Sequence, residues 1–186
     1  MNNPYESKLC IEYHLNKTEK KICQTFIKLY EYKDFDKITI KEICTLAPIA
    51  RTTFYQYFSN IKEVKDIIED NFIYGLLKNS YDLKYFHYQS KVYEQYIYST
   101  LSYFKENRYL FKVFLVINHD LSFIEKYKTS IKYHYYELCH GDEAALEIVS
   151  GFLIAIFSYI LSSDKEVNRD EIDKYVHILQ TLIESF

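Results

Sequence analysis

Glycine and proline are nearly missing from this chain: its 186 residues include 3 Gly and 2 Pro. Sandwiches and barrels need frequent turns, and turns lean on these two residues. Their scarcity therefore argues against most all-β architectures and favours long helices. No run of alternating apolar and polar residues marks a strand, and no internal repeat or low-complexity segment stands out. So few glycines also argue against a glycine-rich loop that cradles phosphates. Tryptophan is absent, while 21 Tyr and 13 Phe are present. With rings so common, no single ring marks a site. The cysteines, Cys10, Cys23, Cys44 and Cys139, form no CxxC pair, so free thiols in a reducing cytoplasm are expected. The N-terminal stretch is polar and lacks the apolar run of a secretory signal. The most apolar window, Ala144–Leu161, is interrupted by Glu147, Ser150, Gly151 and Ser158 and reads as short for a membrane span. A cytoplasmic protein without membrane contact is the expectation.

Hydrophobic residues make up 48% of the chain and charged residues 26%, which is ordinary for a soluble globular protein with a sizeable core. The charge is unevenly spread. Residues 17–65 hold ten Lys or Arg and six acids, so they carry +4, and with a whole-chain charge of −3 the remainder carries −7. A basic end on an acidic body suits a polyanion-binding module attached to a body with another task.

Helical spacing runs through the chain. Thr18 can cap a helix reaching about Tyr32, with Ile22, Phe26, Ile27, Leu29 and Tyr30 on one stripe, after a polar arm over residues 1–16. Thr39 with Glu42 forms a capping box for a short helix that turns Ile40, Ile43, Cys44 and Leu46 inward. Pro48 then forces a break. A third helix covers about 50–57. It buries Phe54, with Ile49 and Phe58 packed at its ends, and exposes Arg51, Thr52, Thr53, Tyr55, Gln56 and Tyr57. A face of donors and acceptors on a short helix is what reading base edges in a major groove requires. Ser59 or Asn60 caps a fourth helix reaching about Lys78. Further helices are expected near 89–106, 108–118, 120–139 and 142–162, with a break at Gly141. A last helix begins at Asn168 or Asp170.

The stretch DFDKITIKEICTLAPIARTTFYQYFSNIKEV, preceded by a helix, resembles the helix-turn-helix of TetR-family transcriptional regulators. The family pattern is met by Thr39, Ile40, Ile43, Ala47, Thr53, Phe54, Tyr55, Tyr57, Phe58, Lys62 and Glu63. The match covers about 50 residues; beyond them the likeness is in length and helical character. Pro48 stands where the family usually has Gly in the turn. Ala50 stands where Ser or Thr usually opens the reading helix, and Lys33 or Asp34 follows the first helix in place of a usual Gly. The resemblance implies an all-α protein. A three-helix DNA-binding domain would span residues 1–62, including the arm, and a helical ligand-binding and dimerisation domain would span 63–186. Arg51, Thr52, Thr53 and Gln56 are then expected to reach bases. Thr39, Tyr55, Tyr57 and Lys62 are expected to contact phosphates.

The resemblance further implies a ligand-responsive, homodimeric repressor on a pseudo-palindromic double-stranded operator, with an unknown small-molecule effector. Candidate pocket residues are Tyr93, Tyr96, Phe104, Phe111, Phe114, His119, Phe123 and Tyr127. The helix near 144–161 is apolar nearly all round and must be covered on all sides, by a partner subunit as the resemblance implies or by an intramolecular core. Candidate interface residues are Phe152, Ile156, Tyr159, Ile160, Tyr175, Ile178, Leu179 and Leu182. Two rivals remain. One is a TetR-like regulator that acts through a protein partner without small-molecule control. The other is a helical enzyme, but His119-Asp120 comes with no nucleophile or oxyanion motif. His134, Cys139 and His140 fit no common zinc spacing, so no metal and no cofactor is expected.

Overall fold

The computed structural model describes residues 3–6, 9–78, 91–163 and 169–186; within 91–97 it describes the backbone and the side chain of Gln95 alone. All regular structure among these residues is helical: α1 (Lys17–Tyr30), α2 (Ile40–Leu46), α3 (Arg51–Tyr57), α4 (Ile61–Leu77), α5 (Lys91–Glu106), α6 (Arg108–Phe111), α7 (Leu121–Tyr135), α8 (Glu143–Ser162) and α9 (Arg169–Glu184). A 3-10 turn at Phe35–Lys37 joins α1 to α2, and a π-helical stretch, Lys112–Ile117, continues α6.

Side chains that satisfy the orphan amides of the first turn set the helix starts. Asn16, rather than Thr18, caps α1: its side chain accepts from Thr18 N and Glu19 N, and Glu19 Oε2 accepts from Asn16 N at 2.7 Å. Asn is the better cap, and Glu19 three residues on completes the box. Asn60 caps α4 through Glu63 N at 2.9 Å, and Asp142 caps α8 through Ala145 N at 2.8 Å. Gly141 breaks the chain between α7 and α8 at φ +73°, a conformation that glycine adopts without steric cost.

The described parts of the arm, 3–6 and 9–16, lie on the body. Asn3 Nδ2 donates to Tyr133 O, the Tyr5 hydroxyl donates to Glu143 at 2.7 Å, and Tyr13 N donates to Asn71 Oδ1 at 2.5 Å. Leu46 also departs from the sequence reading, being 56% exposed, while Ala47 is fully buried. The chain turns into the break at Ala47, so the inward position shifts by one residue.

α1, α2 and α3 pack as a small bundle on the start of α4, which continues into the body against α5 and α7; α7, α8 and α9 complete it. The buried core runs without interruption from Ile22 in α1 to Leu179 in α9. The boundary expected at residues 62 and 63 falls in the first turn of α4, so α4 belongs to both halves. α8 is 20 residues with a mean hydropathy of 2.1 over its most apolar stretch, so by length and composition it could cross a membrane. That corrects the reading of its apolar window as too short. In this fold α8 packs against α7, α9 and the π-helical stretch.

Candidate nucleic-acid interface

The candidate face on α3 is built from the inside out. Phe54 and Phe58 are buried, at 0% and 1% exposure, and their rings lie 5.9 Å apart. This pair fixes the underside of α3. The opposite side carries Arg51, Thr52, Tyr55, Gln56 and Tyr57 exposed, with Thr53 half-buried. Arg51, Thr52, Thr53, Gln56 and Tyr57 form no hydrogen bond or ion pair with other side chains among the described residues. Ala50 supplies no side-chain cap, so the first amides of α3 remain open to an outside acceptor. Pro48 is exposed, and Ile49 N reaches back to Cys44 O at 3.0 Å. The break therefore occurs as its lack of an amide hydrogen dictates.

The residues expected at phosphates are differently placed. Tyr55 and Tyr57 are exposed at 57% and 36%. Thr39 is occupied by the capping box: its hydroxyl donates to Glu42 Oε2 at 2.7 Å and accepts from Glu42 N at 3.3 Å, and its amide donates to the same carboxylate at 3.0 Å. Lys33 pairs with Glu42 at 2.5 Å. The hydrogen bonds from Lys33 and Thr39 hold the Glu42 carboxyl down to about 2. Lys62 pairs with Asp66 at 2.6 Å but keeps 73% of its side chain exposed, and such an exposed pair opens at little cost. Lys41, which composition alone did not single out, is exposed on α2.

A buried ionic cluster joins this head to the body. Asp120 caps α7, accepting from Ser122 N and Phe123 N. It also accepts from the Tyr30 hydroxyl of α1 at 2.6 Å and pairs with Lys65 of α4 at 2.7 Å. Lys65 reaches Glu69 at 3.2 Å, and Lys126 of α7 reaches Glu69 at 2.9 Å and Asp70 at 3.0 Å. Burial opposes the charge on Asp120, but hydrogen bonds from Lys65 and Tyr30 outweigh it and the pKa falls below the usual carboxylate value. Burial likewise opposes the charge on Lys126, but Glu69 and Asp70 outweigh it and raise its pKa. Asn118 adds a bond from its side chain to Tyr30 O at 2.8 Å. The sequence carried one clue to this cluster: Glu69 interrupts the buried Val64, Ile68, Phe72 stripe, four residues after Lys65.

Deeper in the body, a cavity of about 110 Å³ lies among α4, α5, α7, α8 and α9. Of the residues expected to line a pocket, Phe104 and Tyr127 are on its wall. Phe111, Phe114 and Phe123 are fully buried in an aromatic stack instead: Phe111 lies 4.2 Å from Phe72, and Phe114 lies 4.9 Å from Phe123, centroid to centroid. His119 is exposed at φ +47° in the turn before α7, away from the cavity. The side chains of Tyr93 and Tyr96 lie outside the described residues. Of the residues expected between subunits, Phe152, Ile156, Ile160, Tyr175 and Leu179 face this cavity within the chain. Tyr159 and Ile178 are exposed at 54% and 40%, and Leu182 is half-buried. The outward side of α8 is Ile148, Gly151, Ala155 and Tyr159, all exposed and three or four residues apart. Among the described residues no cluster of His, Cys, Asp and Glu could hold a metal ion.

No protein-family model matches this sequence, and no curated protein matches it. Among solved structures, it is similar to a TetR transcriptional regulator from Streptococcus agalactiae 2603V, with a TM-score of 0.66 and 17% identity over 90% of this chain and 93% of that one. At that identity the likeness concerns the fold, an N-terminal helix-turn-helix head on an all-helical body.

Proposed function

We propose that this protein is a sequence-specific DNA-binding transcriptional regulator of the TetR type, a homodimer whose operator affinity is lowered by a small effector. The observation that supports the reading is the polar face of α3, where Arg51, Thr52, Thr53, Gln56 and Tyr57 form no hydrogen bond or ion pair with other side chains among the described residues, on a helix anchored from below by the buried Phe54 and Phe58. Arg51 is placed to pair with guanine, and Gln56 with adenine, in the major groove. Tyr55, Tyr57, Lys41 and Lys62 set the register on the phosphates, Lys62 by releasing Asp66. Thr39 contributes mainly by capping α2.

The exposed apolar ridge of α8 supports dimerisation. Nothing lies within 4 Å of where a Cβ on Gly151 would sit, so a second helix can approach closely there. Two-fold symmetry then calls for a pseudo-palindromic operator with reading heads about one DNA turn apart or slightly more. The cavity supports effector control, because Leu76 and Leu77 on its wall end the same helix that begins beside the reading head at Ile61. An occupant that favours one position of α4 shifts the population of head spacings, and DNA favours the other. A cytoplasmic, non-enzymatic repressor is the role this arrangement fits.

The test is binding to the promoter DNA upstream of the protein's own gene. Arg51→Ala is expected to weaken specific binding by about 1–3 kcal/mol and relax one base position. Lys62→Ala is expected to weaken binding to all sequences alike and to reduce the salt slope by about one. If both variants bind that DNA as the unmodified protein does, α3 is not the reading helix.

A further inference from the structure

We infer that the cavity takes an uncharged, lipophilic molecule of about one ring, carrying a single hydrogen-bonding group that pairs with Thr100. This deepens the regulatory reading above by giving the effector a chemical class.

Three observations lead there. Among the described residues that line the cavity, no side chain is charged. An ionised ligand would lose its hydration and gain no counter-charge, so the charged form is excluded. Next, the Thr100 hydroxyl oxygen is buried and has no hydrogen-bond partner among the described residues, although it belongs to the cavity wall. A buried hydroxyl left unpaired is costly, and native proteins seldom leave one so. A water held there would itself need two or more polar partners, and apart from Tyr127, Tyr135 and Tyr175 the wall around Thr100 is aliphatic or phenylalanine. A ligand oxygen or nitrogen meets the hydroxyl without that requirement. Finally, the cavity holds about 110 Å³, somewhat less than the roughly 150 Å³ of an apolar cavity that accepts benzene. Its rings are already arranged for another ring: Phe104 and Phe157 lie 5.2 Å apart, and Tyr127 and Phe157 lie 6.3 Å apart, centroid to centroid. Those separations fall within the range of favourable aromatic contacts. Small phenols, cyclic alcohols and ketones meet all three requirements.

The experiment is calorimetric titration of the full-length protein, without DNA, with toluene, phenol and benzoate at neutral pH. Phenol is expected to bind more tightly than toluene, and benzoate at least a hundredfold more weakly than phenol. Thr100→Val keeps the shape and removes the hydroxyl. It is expected to cut the preference for phenol over toluene by about tenfold while leaving toluene binding intact. Thr100→Ser, which keeps the hydroxyl, is expected to retain the preference. Leu153→Phe, which fills the cavity, is expected to abolish binding of both neutral probes. Benzoate binding as tightly as phenol, an unchanged preference in Thr100→Val, or no binding of any probe at millimolar concentration would overturn the assignment. Neutral probes that bind as described but leave DNA binding untouched would support the cavity chemistry and count against effector control.

Discussion

Asp120→Ala strikes the joint between the N-terminal helical head and the body, and its cost can be worked from the contacts. The substitution removes the cap on α7, in which Asp120 accepts from Ser122 N and Phe123 N; losing such a cap costs about 1 kcal/mol. It strands the Tyr30 hydroxyl, which donates to Asp120 at 2.6 Å inside the protein; an unpaired buried group costs roughly 1–3 kcal/mol. It also takes one carboxylate from Lys65, whose side chain is only 12% exposed. Lys65 keeps Glu69 at 3.2 Å, so the roughly 3–5 kcal/mol of a fully orphaned buried charge does not apply in full. The expected total is about 3 kcal/mol. At about 2–4 °C per kcal/mol for a chain of this size, the midpoint should fall by roughly 6–12 °C. Asp120→Asn keeps Oδ1 as the acceptor for the cap but turns an amide NH2 toward Tyr30 and Lys65 in place of the accepting Oδ2, so it spares only the cap and should cost about 1 kcal/mol less. Because the folded pKa of Asp120 is depressed, its contribution is complete above the ordinary carboxylate range and is lost as the pH falls through the folded value. Chemical unfolding of both variants at neutral pH and near pH 3 is the assay. A loss below about 1 kcal/mol in Asp120→Ala, or an equal loss in Asp120→Asn, would refute this account of the joint.

Other regions give equally definite expectations. Gly75→Ala should destabilise by roughly 1–3 kcal/mol despite the better helix propensity of alanine, because its Cβ would fall onto the ring of Tyr103, which is itself tied to Phe72 O at 3.2 Å; thermal unfolding measures it. Burial lowers the His134 pKa from 6.5 to about 4, so the unfolded chain takes up its proton first as the pH drops. That contribution is complete above about pH 6.5 and is lost towards pH 4, by at most about 3 kcal/mol; His134→Leu should flatten stability between those limits. Ala155→Glu places a charge on the exposed ridge of α8 and should convert the proposed dimer to monomer in sedimentation without lowering the stability of the fold. A variant that stays dimeric would move the interface elsewhere.

The helices were legible from the sequence where one residue decides the outcome. Thr39 with Glu42, the break at Pro48 and the left-handed Gly141 each left a local choice with one low-energy answer. Phe54 and Phe58 could be placed because their spacing admits one buried face. Position-by-position burial near a break was less legible: Leu46 and Ala47 exchange roles because helical phase is lost as α2 ends. The cap of α1 shifted to Asn16 because Asn16 and Thr18, two residues apart, can both cap. The rings of the body were least legible. Phe104 and Phe111 differ in that one reaches the cavity and the other does not, a distinction set by packing among five helices. The same holds for Phe152, Ile156 and Leu179, whose apolar character fits an intramolecular cavity as well as a subunit interface.

Selection of bound duplexes from a random DNA library by the full-length protein, repeated with Arg51→Ala, tests whether α3 reads DNA. The expected result is a two-fold symmetric motif whose half-sites are separated by about 10 base pairs or slightly more, and loss of preference at one position in each half-site with Arg51→Ala. No enriched motif, or a motif that Arg51→Ala leaves unchanged, would contradict it.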